Sequence, residues 1–206
     1  MTKNADEYLD AINAAFGVQQ LESKFIDAIN NTDTLKGQRA LKKVMDEQLN
    51  NLRSKEKLTQ YDVDRAEKLL QIEQARIALE AAQSSKTSLR LQRDSQGNYS
   101  YQYVADRNGI SEAEDSYNQA VNDLYNFDKD KYKDNLQQML SAWQEFKSEY
   151  TDIRTDMSLS DEERLERLSL LEEQYGEYIN GLAQQNTDIR VNLAGSAVND
   201  LANLYE

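Results

Sequence analysis

The sequence predicts a mainly α-helical fold of long antiparallel helical hairpins or coiled coil, with one β-hairpin inserted at about residues 88–105. Proline is absent and only 7 of the 206 residues are glycine, so little in the chain would interrupt a helix. Apolar and aromatic residues recur with a heptad spacing in the second half, and a period of two occurs only between residues 88 and 106. A mean hydropathy of -0.85 favours narrow apolar stripes over a large core.

The N-terminal region, residues 1–86, predicts three helices. Apolar residues at three- and four-residue steps predict one helix over residues 4–30, or two short helices separated at Gly17. Capping residues at positions 31–34 precede a second predicted helix at 34–57. Thr59 and Asp62 have the spacing of a capping box and open a third helix at 60–84. The short polar connection between the second and third helices indicates that they are antiparallel.

The insert, residues 87–106, alternates apolar and polar residues as a strand does. Leu89 and Leu91 fall on one face, and the ladder of Tyr99, Tyr101 and Tyr103 repeats the pattern. Between the two runs, residues 95–98 have the composition of a β-turn. We therefore expect an antiparallel hairpin.

The C-terminal region, residues 107–206, predicts a long antiparallel helical hairpin with helices at about 111–157 and 161–205. Capping-box spacings at residues 111–114 and 160–163 mark the two helix starts. The first helix carries two interleaved sevenfold series, which predict a coiled-coil seam. Its residues are Tyr125, Tyr132, Leu136, Met139, Trp143, Phe146, Tyr150, Ile153 and Met157. The same pattern serves an intramolecular hairpin, a dimer or a trimer.

The charge argues against nucleic acid as a partner. With 24 basic and 37 acidic residues, the net charge of -13 repels phosphate backbones. Arg90 and Arg93 beside the tyrosines would suit base stacking, but two arginines do not offset that field. No apolar run reaches the roughly 20 residues that cross a bilayer, and the first residues lack a signal-peptide apolar region. We therefore expect neither a membrane segment nor secretion.

The residue types present argue against an enzyme. The chain contains no histidine and no cysteine, so the commonest general base, thiol nucleophiles and thiolate metal sites are missing. Chemistry based on carboxylates alone stays open, but it needs a pocket that a thin helical rod does not readily form. We expect no catalytic residue, no cofactor and no metal site.

Two segments contain closely spaced side-chain oxygens that could bind a metal ion. They are residues 94–98 and residues 126–132, and the second contains Asp128 and Asp130. Neither has the EF-hand pattern, so the first is expected to form a turn and the second to face solvent with local Asp–Lys pairing. The acidic runs 161–163 and 172–173 could mimic nucleic acid, although a helix start and a solvated face are the commoner roles. Tyr99, Tyr101 and Tyr103 could form a recognition surface, but packing over Leu89, Leu91 or the helix ends is favoured.

Several stretches resemble the tape-measure protein of long-tailed bacteriophages. They are DAINN (27–31), KG (36–37), KLTQYD (57–62), LRLQRDSQGNYSY (89–101), LYNFD (124–128), MSLSDEER (157–164) and LEEQYG (171–176). The resemblance spans about residues 20–185, and the hairpin sequence is its most specific part. Members of that family are generally much longer and usually carry apolar segments or a lytic domain, so this chain would be an excerpt or a small relative.

The resemblance implies a non-enzymatic structural or assembly role. The partners of the chain would be tail tube, tail assembly or tip proteins, and it could also associate with itself. The chain would be located in the host cytoplasm during assembly and then in the virion tail. The length-setting role of the family is not carried over to a piece of this size. The alternative is a small acidic helical protein of the cytoplasm that binds and modulates a host or phage protein through the hairpin tyrosines.

Overall fold

The computed structural model describes residues 3–55, 59–93 and 95–203, with side chains from residue 16 to residue 195 apart from the two gaps. Its elements are α1 (Lys3–Asn30), α2 (Leu35–Arg53), α3 (Gln60–Ser84), β1 (Ser88–Arg93), β2 (Tyr99–Val104), α4 (Arg107–Thr155) and α5 (Asp161–Asn203). The predicted mainly α fold with an inserted β-hairpin is confirmed. By contacts the chain groups into Met1–Leu124 and Tyr125–Glu206, a division inside α4. The domain boundaries predicted at residues 86/87 and 106/107 stay a prediction.

The helices of the first unit pack around one apolar core. α1 is a single helix, not two short ones, since Gly17 lies within it without breaking it. Each of α1, α2 and α3 contacts the other two. Their inward residues exclude water, which is the main stabilising contribution in so polar a chain. The buried set is Leu21, Phe25, Ala28, Leu41, Leu49, Leu52, Val63, Ala66 and Leu70.

Hydrogen bonds at the helix ends fix these boundaries. Thr34 caps α2, and its hydroxyl accepts a hydrogen bond from the Gly37 N–H at 3.1 Å. At α3 the predicted capping box is confirmed, because the Asp62 N–H donates to Thr59 while the Thr59 N–H donates to the Asp62 carboxylate. α2 ends at Arg53, earlier than predicted, and residues 56–57 of that prediction lie outside the described residues.

The predicted start of α4 at residue 111 is wrong. The helix begins at Arg107, because the Asp106 carboxylate accepts a hydrogen bond from the Asn108 N–H at 3.2 Å and the Asp106 carbonyl accepts from Ile110 at 2.9 Å. Asp106 thus caps the first turn of α4, the role that Ser111 was expected to have.

In the second unit, α4 and α5 run antiparallel. Asn135 bonds to Asn186, Gln138 to Tyr178 and Glu149 to Tyr175, so residue numbers rise along α4 as they fall along α5. The predicted capping box at α5 is confirmed: the Ser160 N–H donates to Glu163 at 3.0 Å, and the Glu163 N–H donates to the Ser160 hydroxyl at 3.3 Å. The last predicted residues, 204–205, lie outside the described part.

The contact between α4 and α5 differs from the predicted seam. Tyr132, Met139, Phe146, Tyr150 and Ile153 are half-buried, as a seam requires. The remaining predicted members are exposed, namely Tyr125, Leu136, Trp143 and Met157.

Apart from Leu124, the buried positions of α4 form a different sevenfold series. Asp128, Asn135 and Ala142 lie inward, one residue before the predicted Leu136 and Trp143. Asn135 is held there by polar partners on α5, and Ala142 lacks the bulk that would keep α5 away. Asp128, expected to face solvent, is only 1% exposed, whereas Lys133 and Asp130 do form the expected local pair at 3.3 Å.

Candidate functional site: the hairpin face

The turn of the hairpin depends on Gly97. This residue has a φ of +90°, a conformation that residues with a Cβ rarely adopt. The Arg93 side chain lies over the turn and donates a hydrogen bond from Nε to the Gly97 carbonyl at 3.4 Å. Gly97 therefore sets the chain reversal that brings β1 and β2 into register.

The register places all the leucine and tyrosine side chains of the hairpin on one face. Leu89 pairs with Tyr103, Leu91 with Tyr101, and Arg93 with Tyr99. Since side chains alternate along a strand, these six residues share one face, and the other face carries Ser88, Arg90, Gln92, Ser100, Gln102 and Val104. We call the first set the hairpin face.

The hairpin face is open to solvent. Each tyrosine faces a β1 residue, as the packing interpretation expects, but Tyr99 and Tyr103 stay 65% exposed and Tyr101 stays 70% exposed. Leu89 and Leu91 are also exposed. Cross-strand packing therefore covers one side of each ring and leaves a contiguous aromatic and aliphatic surface outside.

A cation lies at the turn end of this face. The Arg93 guanidinium carbon is 5.7 Å from the centroid of the Tyr99 ring, a cation–π distance. Arg93 also remains exposed. A partner that approaches the face would thus meet apolar rings, phenolic hydroxyls and one positive charge.

The second unit offers a different concavity, a shallow groove of about 400 Å³ between α4 and α5. Tyr175 lies in it, with its hydroxyl donating to Glu149 at 3.1 Å and its ring edge-on to Phe146 at 5.6 Å. Burial, together with the hydrogen bond to Glu149, raises the pKa of Tyr175. A tyrosine with a raised pKa stays protonated at neutral pH, so this groove does not hold an activated phenolate.

Among the described residues, no group of three or more acidic side chains is arranged to hold a metal ion. Within the same ranges, no helix has the length and apolar character needed to span a bilayer. The exposed tyrosines were singled out from the sequence, whereas the groove at Tyr175 was not, because it depends on which α5 residues oppose α4. Comparison of the chain with protein-family models, curated proteins and solved structures gives no match.

Proposed function

We propose that this chain is a non-enzymatic structural or assembly protein whose hairpin face binds another protein. The observation that carries the proposal is the exposure of Tyr99, Tyr101 and Tyr103 on one side of a hairpin that contributes nothing to the described core. Tyrosine provides a large contact area at a small loss of conformational freedom, and it is enriched where binding energy concentrates. Arg93 adds a charge that selects among partners.

The proposed setting is a phage tail. The resemblance to tape-measure proteins supports this setting, and the most specific stretch of that resemblance, residues 89–101, lies in the hairpin. The chain would act there as a helical segment in contact with tube, assembly or tip proteins, after assembly in the host cytoplasm. The second candidate is a small acidic helical protein that binds and modulates a host or phage protein through the same tyrosines.

The state of the carboxyl groups supports a role without catalysis. A general acid needs a carboxyl group whose pKa is raised, usually in a pocket. Among the described carboxyl groups with a resolved shift, the pKa is lowered in every case, at Asp62, Glu80, Asp156 and Glu163. The carboxylates of Asp62 and Glu163 accept the hydrogen bonds that cap α3 and α5.

Two measurements test the proposal. The first is immunoelectron microscopy of phage particles and tail intermediates that carry the tagged chain, where absence from both would rule out the tail setting. The second is photo-crosslinking from the hairpin face, with a benzophenone side chain in place of Tyr103 and the crosslinked protein identified by mass spectrometry.

The crosslinking needs a matched pair of variants. Tyr99→Ala with Tyr101→Ala is expected to reduce the crosslinked partner at least tenfold, since it removes two rings from the hairpin face. Ser88→Ala with Gln92→Ala changes two residues of the opposite face on β1 and is expected to leave the yield unchanged. Equal loss from both variants would contradict a face-specific site.

A further inference from the structure

We infer that the partner of the hairpin face is a second copy of this chain, which presents the acidic N-terminal third of its α5 to it, head to tail. This inference rests on the proposed function, because it names the occupant of the same face. It is argued from the charge and the exposed apolar side chains of the two surfaces.

The hairpin is locally basic in an acidic protein. Residues 86–107 contain four basic and two acidic residues, while the whole chain has a net charge of -13. The cations Lys86, Arg90, Arg93 and Arg107 are all exposed, and none of them pairs with a carboxylate among the described residues. Arg93 is the one that belongs to the hairpin face, so an acidic surface bound to this face would provide a carboxylate for it.

The N-terminal third of α5 is such a surface. Residues 161–177 contain seven acidic residues and two arginines. At 100° per residue, Glu162, Glu166, Glu173 and Glu177 form one outward ridge, and all four are exposed. We call this set the α5 ridge.

The α5 ridge carries an electrostatic cost that a cationic partner would relieve. Glu162 and Glu166 are four residues apart, as are Glu173 and Glu177, and like charges at this spacing destabilise a helix. No lysine or arginine within the described ranges forms an ion pair with them. The arginines of α5 are directed elsewhere, as Arg164 bonds to Asp161 and to the Asp156 carbonyl.

Apolar residues flank the ridge on both sides. Leu170 lies about 50° to one side of its axis and Leu165 about 90° to the other, and both are more than half exposed. The hairpin face offers matching groups: tyrosine rings for the two leucines, and phenolic hydroxyls and Arg93 for the carboxylates. The hydroxyls of Tyr99, Tyr101 and Tyr103 have no hydrogen-bond partner within the described part of the chain.

The size of the contact fits a weak but specific interface. Three tyrosines about two-thirds exposed and two leucines about half exposed present roughly 600 Å² per copy. Two copies would bury roughly 1,200 Å², the lower end for specific protein pairs. Because the hairpin and α5 are different surfaces, the contact is heterologous, and it links copies head to tail into open chains or closed rings.

The test is sedimentation velocity of the purified chain up to about 1 mM, a range that covers weak association. The wild-type protein is expected to form a concentration-dependent series of oligomers that shrinks as salt is raised, because the contact is partly ionic. The hairpin variant (Tyr99→Ala, Tyr101→Ala) and the ridge variant (Glu166→Lys, Glu173→Lys) are each expected to weaken association at least tenfold. Glu112→Lys with Glu114→Lys changes the net charge equally on exposed positions of α4 and should leave association intact.

A mixture of the two variants gives the decisive result. The hairpin variant keeps an intact α5 ridge and the ridge variant keeps an intact hairpin face, so a 1:1 mixture should form dimers and nothing larger. If the hairpin faces instead bound one another, the ridge variant would associate as the wild type does, and the inference would be overturned. Circular dichroism of each variant confirms that its helices are intact.

Failure of this inference is distinguishable from failure of the proposed function. A wild-type chain that stays monomeric up to about 1 mM overturns self-association. If the same hairpin variant still loses its crosslinked tail protein, the proposed function stands with a different occupant. A hairpin variant that loses neither association nor crosslinking overturns both.

Discussion

The Asn135 side-chain amide donates a hydrogen bond to Asn186 Oδ1 at 3.0 Å in the interior of the α4–α5 pair. The same nitrogen donates to Gln185 Oε1 at 2.7 Å, and Asn135 is 0% exposed. A buried amide fixes the alignment of two helices because sliding by one turn would leave it without a partner. This polar contact thus sets the register of α4 against α5.

Replacing one member of this contact is expected to lower the free energy of unfolding more than replacing both. Asn135→Leu leaves two buried or half-buried acceptors without a donor, so the free energy of unfolding should fall by about 1–3 kcal/mol. Asn135→Leu with Asn186→Leu should recover at least half of that loss, since both polar groups are then gone. Urea unfolding measures both, with the exposed Asn126→Leu as the control. A single variant as stable as the wild type would show that the amide does not hold the register.

The stability of the first unit is expected to fall in acid partly through Asp62. Burial raises the pKa of Asp62, but hydrogen bonds from Lys55 and Thr59 outweigh it, and the pKa lies below the ordinary 3.8. A lowered pKa in the folded state stabilises the protein above the unfolded value, and that contribution is lost as the pH falls through the folded value.

The variant Asp62→Asn should therefore be less stable than the wild type at pH 7, and the difference should shrink as the pH falls below about 4. Urea unfolding from pH 7 to pH 2 measures it, with the exposed Asp46→Asn for comparison. A difference that stays constant over this range would contradict the assigned role.

Alanine is expected to have opposite effects at two helical glycines. A Cβ at Gly37 would lie 2.6 Å from Thr32 Cγ2 and 3.0 Å from Ile77 Cγ2, whereas at Gly181 it would meet nothing within 4 Å. Gly37→Ala should destabilise by about 1–3 kcal/mol through overpacking, against a helix-propensity gain of about 1 kcal/mol. Gly181→Ala should stabilise by about 0.5–1 kcal/mol. Thermal unfolding of the two variants checks this. A higher stability of Gly37→Ala would mean that the Thr32 side chain moves away without cost.

Trp143 and Ala142 distinguish the observed seam from the predicted one. Trp143, the only tryptophan, is 57% exposed, while Ala142 is buried. Trp143→Gln should change the free energy of unfolding by no more than about 0.5 kcal/mol, and Ala142→Leu should cost about 1–3 kcal/mol. Urea unfolding compares them, and acrylamide should quench the native tryptophan readily. Strong protection from acrylamide would support the predicted seam.

Local signals made most helix boundaries predictable. The capping boxes at Thr59 and Ser160 depend on residues three positions apart, so the sequence contains all that determines them. Residues 88–104 were predictable for the same reason, since alternation and a glycine turn are both local. The start of α4 was missed because Asp106 and Ser111 are both residue types that cap helices, and the capping-box spacing favoured Ser111.

The long-range contacts were less predictable. An apolar heptad indicates a seam but does not say which of two neighbouring stripes the partner covers, and the buried series contains Asp128 and Asn135, which apolar patterning excludes. The exposure of Tyr101 had no local signal either, because a tyrosine ladder looks the same whether or not a helix covers it.

The separation of the hairpin from the core has a consequence for sequence variation. All the described residues that form the core of the first unit belong to α1, α2 and α3, so substitutions on the hairpin face leave that packing unchanged. Selection on stability and selection on partner choice then act on different positions. Related chains could exchange the side chains at positions 99, 101 and 103 and acquire a new partner while the helices that present them stay the same.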